Sequence, residues 1–407
     1  HALLESLADW PNLISEAFLE FLLFQAEPAF LRSILQLTTL VHCPNLTPTI
    51  KELTSAQEID IVRAATNALS FSKTIIEPER LEHWRRSKDQ YVQMCYLRLL
   101  AVDDESELRT PETLRMLKEL FRIDAFDTTT RLDDLLLTVI NDGSPLRSFE
   151  ELVTLCVVLP KIGPQPVVGF ERLLSIANQA KEPLRVAATL ALALHDDKRA
   201  LEAFSVLIKA PPTKAFSLPL RQAAHRLGAP LARSIVNYLL NRPPSYGHAV
   251  KHANQSELDH QRLALLRCCP FESSCDILLS LIDANANGPF SPIVAMTLRS
   301  GNSATFQELR RALREPERGL LIPMIRYLLL CPDERFVEDL VAVFRQFDIV
   351  RHQVLLILEY FGQEGLRALE SLIAKGGDDA VLDPVYETCE WLEHCLDSSG
   401  EFSQNIH

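Results

Sequence analysis

The sequence predicts an all-α chain built as a solenoid of stacked antiparallel helix pairs, and three observations lead there. First, four helix-breaking residues recur at even spacing: Pro270, Gly301, Pro332 and Gly362 lie 31, 31 and 30 apart. Second, the apolar residues keep step with them. Leu278, Leu309 and Leu340 follow the first three breakers by eight positions, and Leu263, Val294, Ile325 and Leu355 precede all four by seven. After Gly362 the set arrives one position early, as Leu369, Leu372 and Ile373. A breaker flanked by apolar spacings of 3, 4 and 7 is a helix–turn–helix unit, and fixed self-similarity at this period is the mark of stacked repeats. Third, glycine is scarce, with Gly143 the first in the chain, so folds that need many tight turns are excluded.

Taken in order, Leu3–Asp9, Pro11–Phe24 and Pro28–Val41 read as amphipathic helices, with Pro11 and Pro28 suited to a first turn. Ala56–Phe71 follows, its small residues allowing close approach of a neighbour. Glu79–Ser87 with Asp89–Val102 makes the next pair. Pro111–Phe121, Asp127–Ile140 and Ser148–Leu159 continue, with Asp127 and Ser148 as N-caps. Residues 1–149 are thus an irregular helical N-terminal part without a clean period, as befits a terminal stretch that must meet water.

Regular repeats occupy 150–396. Counting from breakers near Ile162, Asp196 and Gly228, the eighth residues on are Phe170, Phe204 and Val236. The gap from Gly228 to Pro270 is 42 residues, one repeat plus an insert at 241–256. Insertions in repeat arrays emerge as loops on one face, often the binding face. Asp379–Leu396 is expected as a capping helix with a polar outer side, and 397–407 as a disordered or frayed tail.

Several segments resemble short HEAT-type repeats of the phycobilisome-lyase variety. The residues that carry the likeness are Glu182-Pro183-Leu184-Arg185-Val186-Ala187-Ala188 with Leu190, and Pro219-Leu220-Arg221-Gln222-Ala223-Ala224 with Leu227-Gly228. Tyr360-Phe361-Gly362-Gln363-Glu364-Gly365-Leu366 with Leu369 is a third match. The resemblance implies a right-handed α-α superhelix of the armadillo/HEAT kind whose second helices line a concave face. It carries no activity with it.

Enzymes of this architecture supply tests. Di-iron hydroxylases of the HEAT kind use His-Glu dipeptides, and no histidine here precedes a glutamate. A phycobilin lyase is an alternative through the repeat alone. A DNA glycosylase is another; it needs a basic groove to meet phosphates. The sequence contains no Gly-Lys dipeptide for a P-loop, no Gly-x-Ser-x-Gly elbow and no dinucleotide fingerprint. His248, His252 and His260 have zinc-compatible spacing, but Pro243, Pro244 and Gly247 make that stretch a loop and no cysteine or carboxylate is fixed beside it. Cys268, Cys269 and Cys275 straddle a turn and read as packing cysteines. No cofactor or metal is expected. Trp84-Arg85-Arg86-Ser87-Lys88, near Tyr91, reads as an exposed helix end rather than an anion-binding patch.

The net charge of −13 is unevenly spread. Residues 1–150 carry 15 Lys/Arg against 24 Asp/Glu, 151–250 carry 12 against 6, and 251–407 carry 14 against 24. The acidic ends disfavour nucleic acid; the basic centre suits an acidic protein partner. The expected contact surface is Lys198, Arg199, Lys209, Lys214, Arg221, Arg226 and Arg233 with Arg242, Tyr246, His248, Lys251 and His252 of the insert. Nine cysteines without framework spacing point to a reducing, cytoplasmic setting. No membrane span or signal peptide is legible, and His1 in place of methionine suggests a trimmed or partial chain. The function expected is therefore a non-enzymatic interaction scaffold or adaptor. The alternatives are a HEAT-like enzyme and the cytosolic regulatory domain of a larger membrane-associated protein.

Overall fold

A computed structural model describes residues 14–404 except 42, 73, 104, 124–131, 144–146, 213–216, 242–260, 271–273, 285–289, 300, 302 and 377–378. Every regular element among the described residues is helical. None of these helices is long and apolar enough to cross a membrane. The chain divides into two units, His1–Pro270 and Phe271–His407. The expected helix Leu3–Asp9, the Asp127 cap and residues 242–256 of the insert lie outside the described residues; Asn241 ends a helix.

In the first unit the helices form two rows. One row runs through α2 (Pro28–Thr38), α4 (Ile59–Phe71), α6 (Gln90–Asp103), α10 (Phe149–Ile162), α12 (Leu184–Leu194) and α14 (Ser217–Asn241), each packed on the next. The other places α3 (Thr47–Leu53), α5 (Pro78–Arg85), α9 (Leu132–Gly143), α11 (Pro166–Gln179) and α13 (Arg199–Lys209) against the first row. Also present are α1 (Glu16–Gln25), the short α7 (Glu105–Leu108), α8 (Pro111–Phe121) and α15 over 261–268.

The sequence explains the inner row. Leu152–Pro160 in α10 and Val186–Leu194 in α12 are apolar all round apart from one threonine each, and every one of these residues is buried. A helix without a polar stripe has to be enclosed. Ser148 starts α10 as expected: its hydroxyl accepts from the Glu151 amide at 3.2 Å while the Glu151 carboxylate accepts from the Ser148 amide at 2.7 Å. The single charge inside α6, Arg98, is fully buried and meets Glu150 at 2.9 Å, Asn67 at 2.9 Å and the face of Phe71, while its Nε has no partner.

The first row bends back on itself. Gln222 Nε2 of α14 donates to Thr39 Oγ1, beyond the end of α2, at 2.6 Å, and Arg226 donates to the Phe71 carbonyl at the end of α4 at 2.9 Å. Gly228, at φ +53°, kinks α14 immediately afterwards.

In the second unit one row holds α16 (Cys275–Ala284), α18 (Ser303–Arg314), α20 (Val337–Gln346) and α22 (Gln363–Ala374). The other holds α17 (Phe290–Arg299), α19 (Leu321–Leu330), α21 (Arg351–Tyr360) and α23 (Asp379–Gln404). Leu278, Leu309 and Leu340 are buried in α16, α18 and α20. Asp339, buried in α20, accepts from Arg310 at 2.7 Å and Arg314 at 2.6 Å and so fastens α18 to α20. Gly365 lets α22 lie against α21: a Cβ there would stand 1.9 Å from the Leu358 carbonyl oxygen. The last helix runs to Gln404, into the stretch expected as a tail, and the first glycine after its start is Gly400.

Candidate functional site

Two described arginines of the basic centre, Arg226 and Arg199, are engaged within the fold. Arg226 is turned inward. Its guanidinium donates to the Phe71 carbonyl at 2.9 Å and to the Leu194 carbonyl at 3.0 Å, and it meets Asp196 at 3.5 Å. It therefore caps the C-terminal ends of two helices at once, where unsatisfied carbonyls and the helix dipole favour a cation. Arg199 is held by Asp197 at 3.0 Å and Glu171 at 2.9 Å. Arg221 is half-buried, whereas Lys198, Lys209 and Arg233 are exposed. Lys214, Arg242, Tyr246, His248, Lys251 and His252 lie outside the described residues.

Capping of this sort recurs. Arg147 donates to the Phe121 carbonyl at 3.0 Å, Arg109 to Lys161 and Gly163, Arg262 to Ile208 at 2.6 Å and Lys209 at 3.1 Å, and Arg351 to Phe344 at 3.0 Å. Of the arginines read as contact surface, Arg226 is the one seen to be spent on helix ends among the described residues. The Trp84 run is a helix end, as expected, but its indole is not exposed: Trp84 is fully buried, Arg85 is engaged by Glu82 and Glu112, and Arg86 stands well exposed beside Glu82. The indole side of α5 faces the core, so an aromatic-basic surface does not form.

What the fold does gather is a rim on the first unit, where α4, α6, α10 and α12 end at Phe71, Asp103, Ile162 and Leu194. Three depressions open there. One of 380 Å³ is lined by residues including Thr39, Cys43, Phe71, Thr74, Asp196 and Arg226. A second, of 600 Å³, is lined by Val102, Asp103, Lys161, Phe170, Leu194, His195, Asp196, Asp197 and Lys198. A third, of 450 Å³, includes Thr74, Ile75, Ile76, Leu99, Val102, Asp103 and Glu107. They adjoin through Thr74, Val102, Asp103 and Asp196. Asp196 makes the turn after α12 with φ +51°, a left-handed conformation that aspartate tolerates better than most residues.

The rim's titratable groups are differentiated. His195 Nε2 donates to the Val157 carbonyl at 2.7 Å and the ring stands edge-on to Phe170. Burial disfavours the imidazolium and lowers its pKa to about 4, so the ring is neutral at neutral pH. Burial raises the pKa of Asp103, against the opposing pull of Arg226. Burial and Glu16 raise Cys43 to about 12, leaving it a thiol. Ile75 stands on the same rim 89 % exposed. Sequence reading missed this site because its residues come from the ends of several helices and the turns after them, far apart in the chain. The one local signal was the His195-Asp196-Asp197-Lys198 run at a breaker.

Among the described residues no group of three or more His, Cys, Asp and Glu side chains is placed to hold a metal ion. Cys268, Cys269 and Cys275 are buried. Compared with protein-family models, curated proteins and solved structures, the chain gives no match.

Proposed function

We propose that this chain is a non-enzymatic interaction scaffold of HEAT-like helix pairs and that a partner protein seats on the rim of the first unit. The superhelical reading is supported by the recurring turns at Asp196, Gly228 and Gly362, all with positive φ, and by helices that pack in two rows within each unit. The observation that carries the functional reading is Ile75: a large aliphatic side chain, 89 % exposed, beside three adjoining depressions. Apolar anchors next to open concavities, ringed by charge, are how protein interfaces are built. Lys198, Asp103 and Asp196 give that ring both signs. Of the cations expected to meet an acidic partner, Lys198 therefore remains on this surface, while Arg199 and Arg226 serve the fold.

A binding role is favoured over a chemical one by His195. Its Nε2–H is committed to a main-chain carbonyl, and no nucleophile among the described residues is hydrogen-bonded to the ring. The test is site-specific photocrosslinking in the native source. A crosslinker at position 75 or 198 should trap one protein, and Ile75→Asp should abolish its capture while leaving the helical signal intact. If position 75 traps no more protein than position 349, a well-exposed isoleucine in the second unit, the rim is not the interface.

A further inference from the structure

The closing helix of the second unit carries a surface of a different kind. After Lys375 the chain has no lysine or arginine, and its last 32 residues hold eight carboxylates. In α23 the buried residues Leu382, Val385, Cys389 and Leu392 face the unit. The opposite side carries Asp383, Tyr386, Glu387, Glu390 and Trp391, all exposed. At about 100° per residue the two aromatics fall some 140° apart, with Asp383, Glu387 and Glu390 between them. Tyr386 and Trp391 are 47 % and 54 % exposed. No cation among the described residues forms an ion pair with these three carboxylates.

The outward face of a surface helix needs only polar residues. Carboxylates alone would satisfy that, and two exposed aromatics bracketing them are not needed for it. Unpaired carboxylates set between aromatic rings match a guanidinium or ammonium in two ways at once, through charge and through the ring faces. The geometry points to this face as the docking site for a basic segment of another protein, one presenting arginine or lysine with neighbouring apolar side chains. The rim of the first unit has no part in it, so either assignment can fail alone.

The experiment uses the full chain and a fluorescein-labelled amphipathic peptide of arginine and leucine, with a glutamate-for-arginine peptide as its counterpart. Anisotropy should show the arginine peptide binding and weakening as salt is raised from low to physiological strength. Tyr386→Ala with Trp391→Ala should weaken it at least tenfold, and Glu387→Gln with Glu390→Gln by severalfold. Glu317→Gln with Glu334→Gln, exposed carboxylates elsewhere in the unit, should change it less than twofold. Equal losses in the face and control variants would mean diffuse attraction to an acidic unit and would overturn the assignment. So would equal binding of the glutamate peptide or no binding of the arginine peptide. Concentration-dependent self-association abolished by Trp391→Ala would identify the occupant as a second copy and overturn it too. Should the alanine pair unfold by circular dichroism, Glu387→Lys with Glu390→Lys replaces it and must abolish binding.

Discussion

Replacing Arg226 by methionine keeps the aliphatic stem and removes every donor. Two carbonyls, of Phe71 and Leu194, then lose charge-assisted partners at 2.9 and 3.0 Å. Each such bond contributes about 1.5–3 kcal/mol net, and a carbonyl left buried without a partner adds its own penalty. The contact to Asp196, at 3.5 Å with that carboxylate half-exposed, adds little. The guanidinium's own Nε has no partner, which discounts the total. The expected loss is about 3–5 kcal/mol. Arg226→Lys should lose roughly half of that, since an ammonium lacks the fork that reaches two helix ends. Arg233→Met, at an exposed position on the same helix, should stay within about 0.5 kcal/mol. Urea unfolding of the full chain followed by circular dichroism is the assay, with the earlier transition assigned by hydrogen exchange of α2 and α4. If the Arg226→Met and Arg233→Met midpoints coincide, Arg226 is surface charge after all and the inward-turned description is wrong.

Other perturbations follow from the same structure. His195, with its folded pKa near 4 against about 6.5 unfolded, gives a stability contribution that is complete above pH 6.5 and lost as pH falls towards 4, amounting to about 3 kcal/mol. His195→Gln should flatten that part of the pH–stability curve, and the His195 ring resonances should not titrate above pH 5. Leu278→Ala, Leu309→Ala and Leu340→Ala should each cost about 2–5 kcal/mol, against less than 1 for exposed Leu356→Ala, as read by thermal unfolding. Asp339→Asn should cost about 2–4 kcal/mol by leaving Arg310 and Arg314 without their shared carboxylate, measured by denaturant titration. Gly365→Ala should destabilise by several kcal/mol, because its methyl would meet the rigid Leu358 carbonyl; a neutral result would mean that α21 and α22 can move apart freely.

The helices were legible because their signals are local. Pro28 and Pro111 mark starts, Ser148 is an N-cap, and the breakers at Asp196, Gly228 and Gly362 all fall where the backbone takes positive φ. Leu278, Leu309 and Leu340 were found through their spacing, and all three are buried. The role of the arginines was not legible. Whether a guanidinium meets solvent or a carbonyl depends on which helix ends lie across from it, and for Arg226 those ends are 32 and 155 residues away. A weak hint existed: Arg226 sits between Ala223-Ala224 and Leu227-Gly228, in the last turn before a breaker. The burial of Trp84 was hidden for a similar reason, since the basic residues around it said nothing of the face the indole takes. The rim was invisible because Thr74, Asp103 and Asp196 lie at the ends of three different helices or just beyond them.

The hydrogen bonds that join α14 to α2 and α4 have a consequence for how the first unit is made. Linear arrays can build up one pair at a time from either end, because each pair answers only to its neighbours. Here Thr39 and Phe71 wait for Gln222 and Arg226, 183 and 155 residues downstream. Closing a span of 155 residues rather than one of 30 costs about 1.5 kcal/mol more in chain entropy, and such distant pairings slow folding. On the ribosome α2 and α4 are made long before Gln222 and Arg226, so these two hydrogen bonds form only after most of the unit has been synthesised.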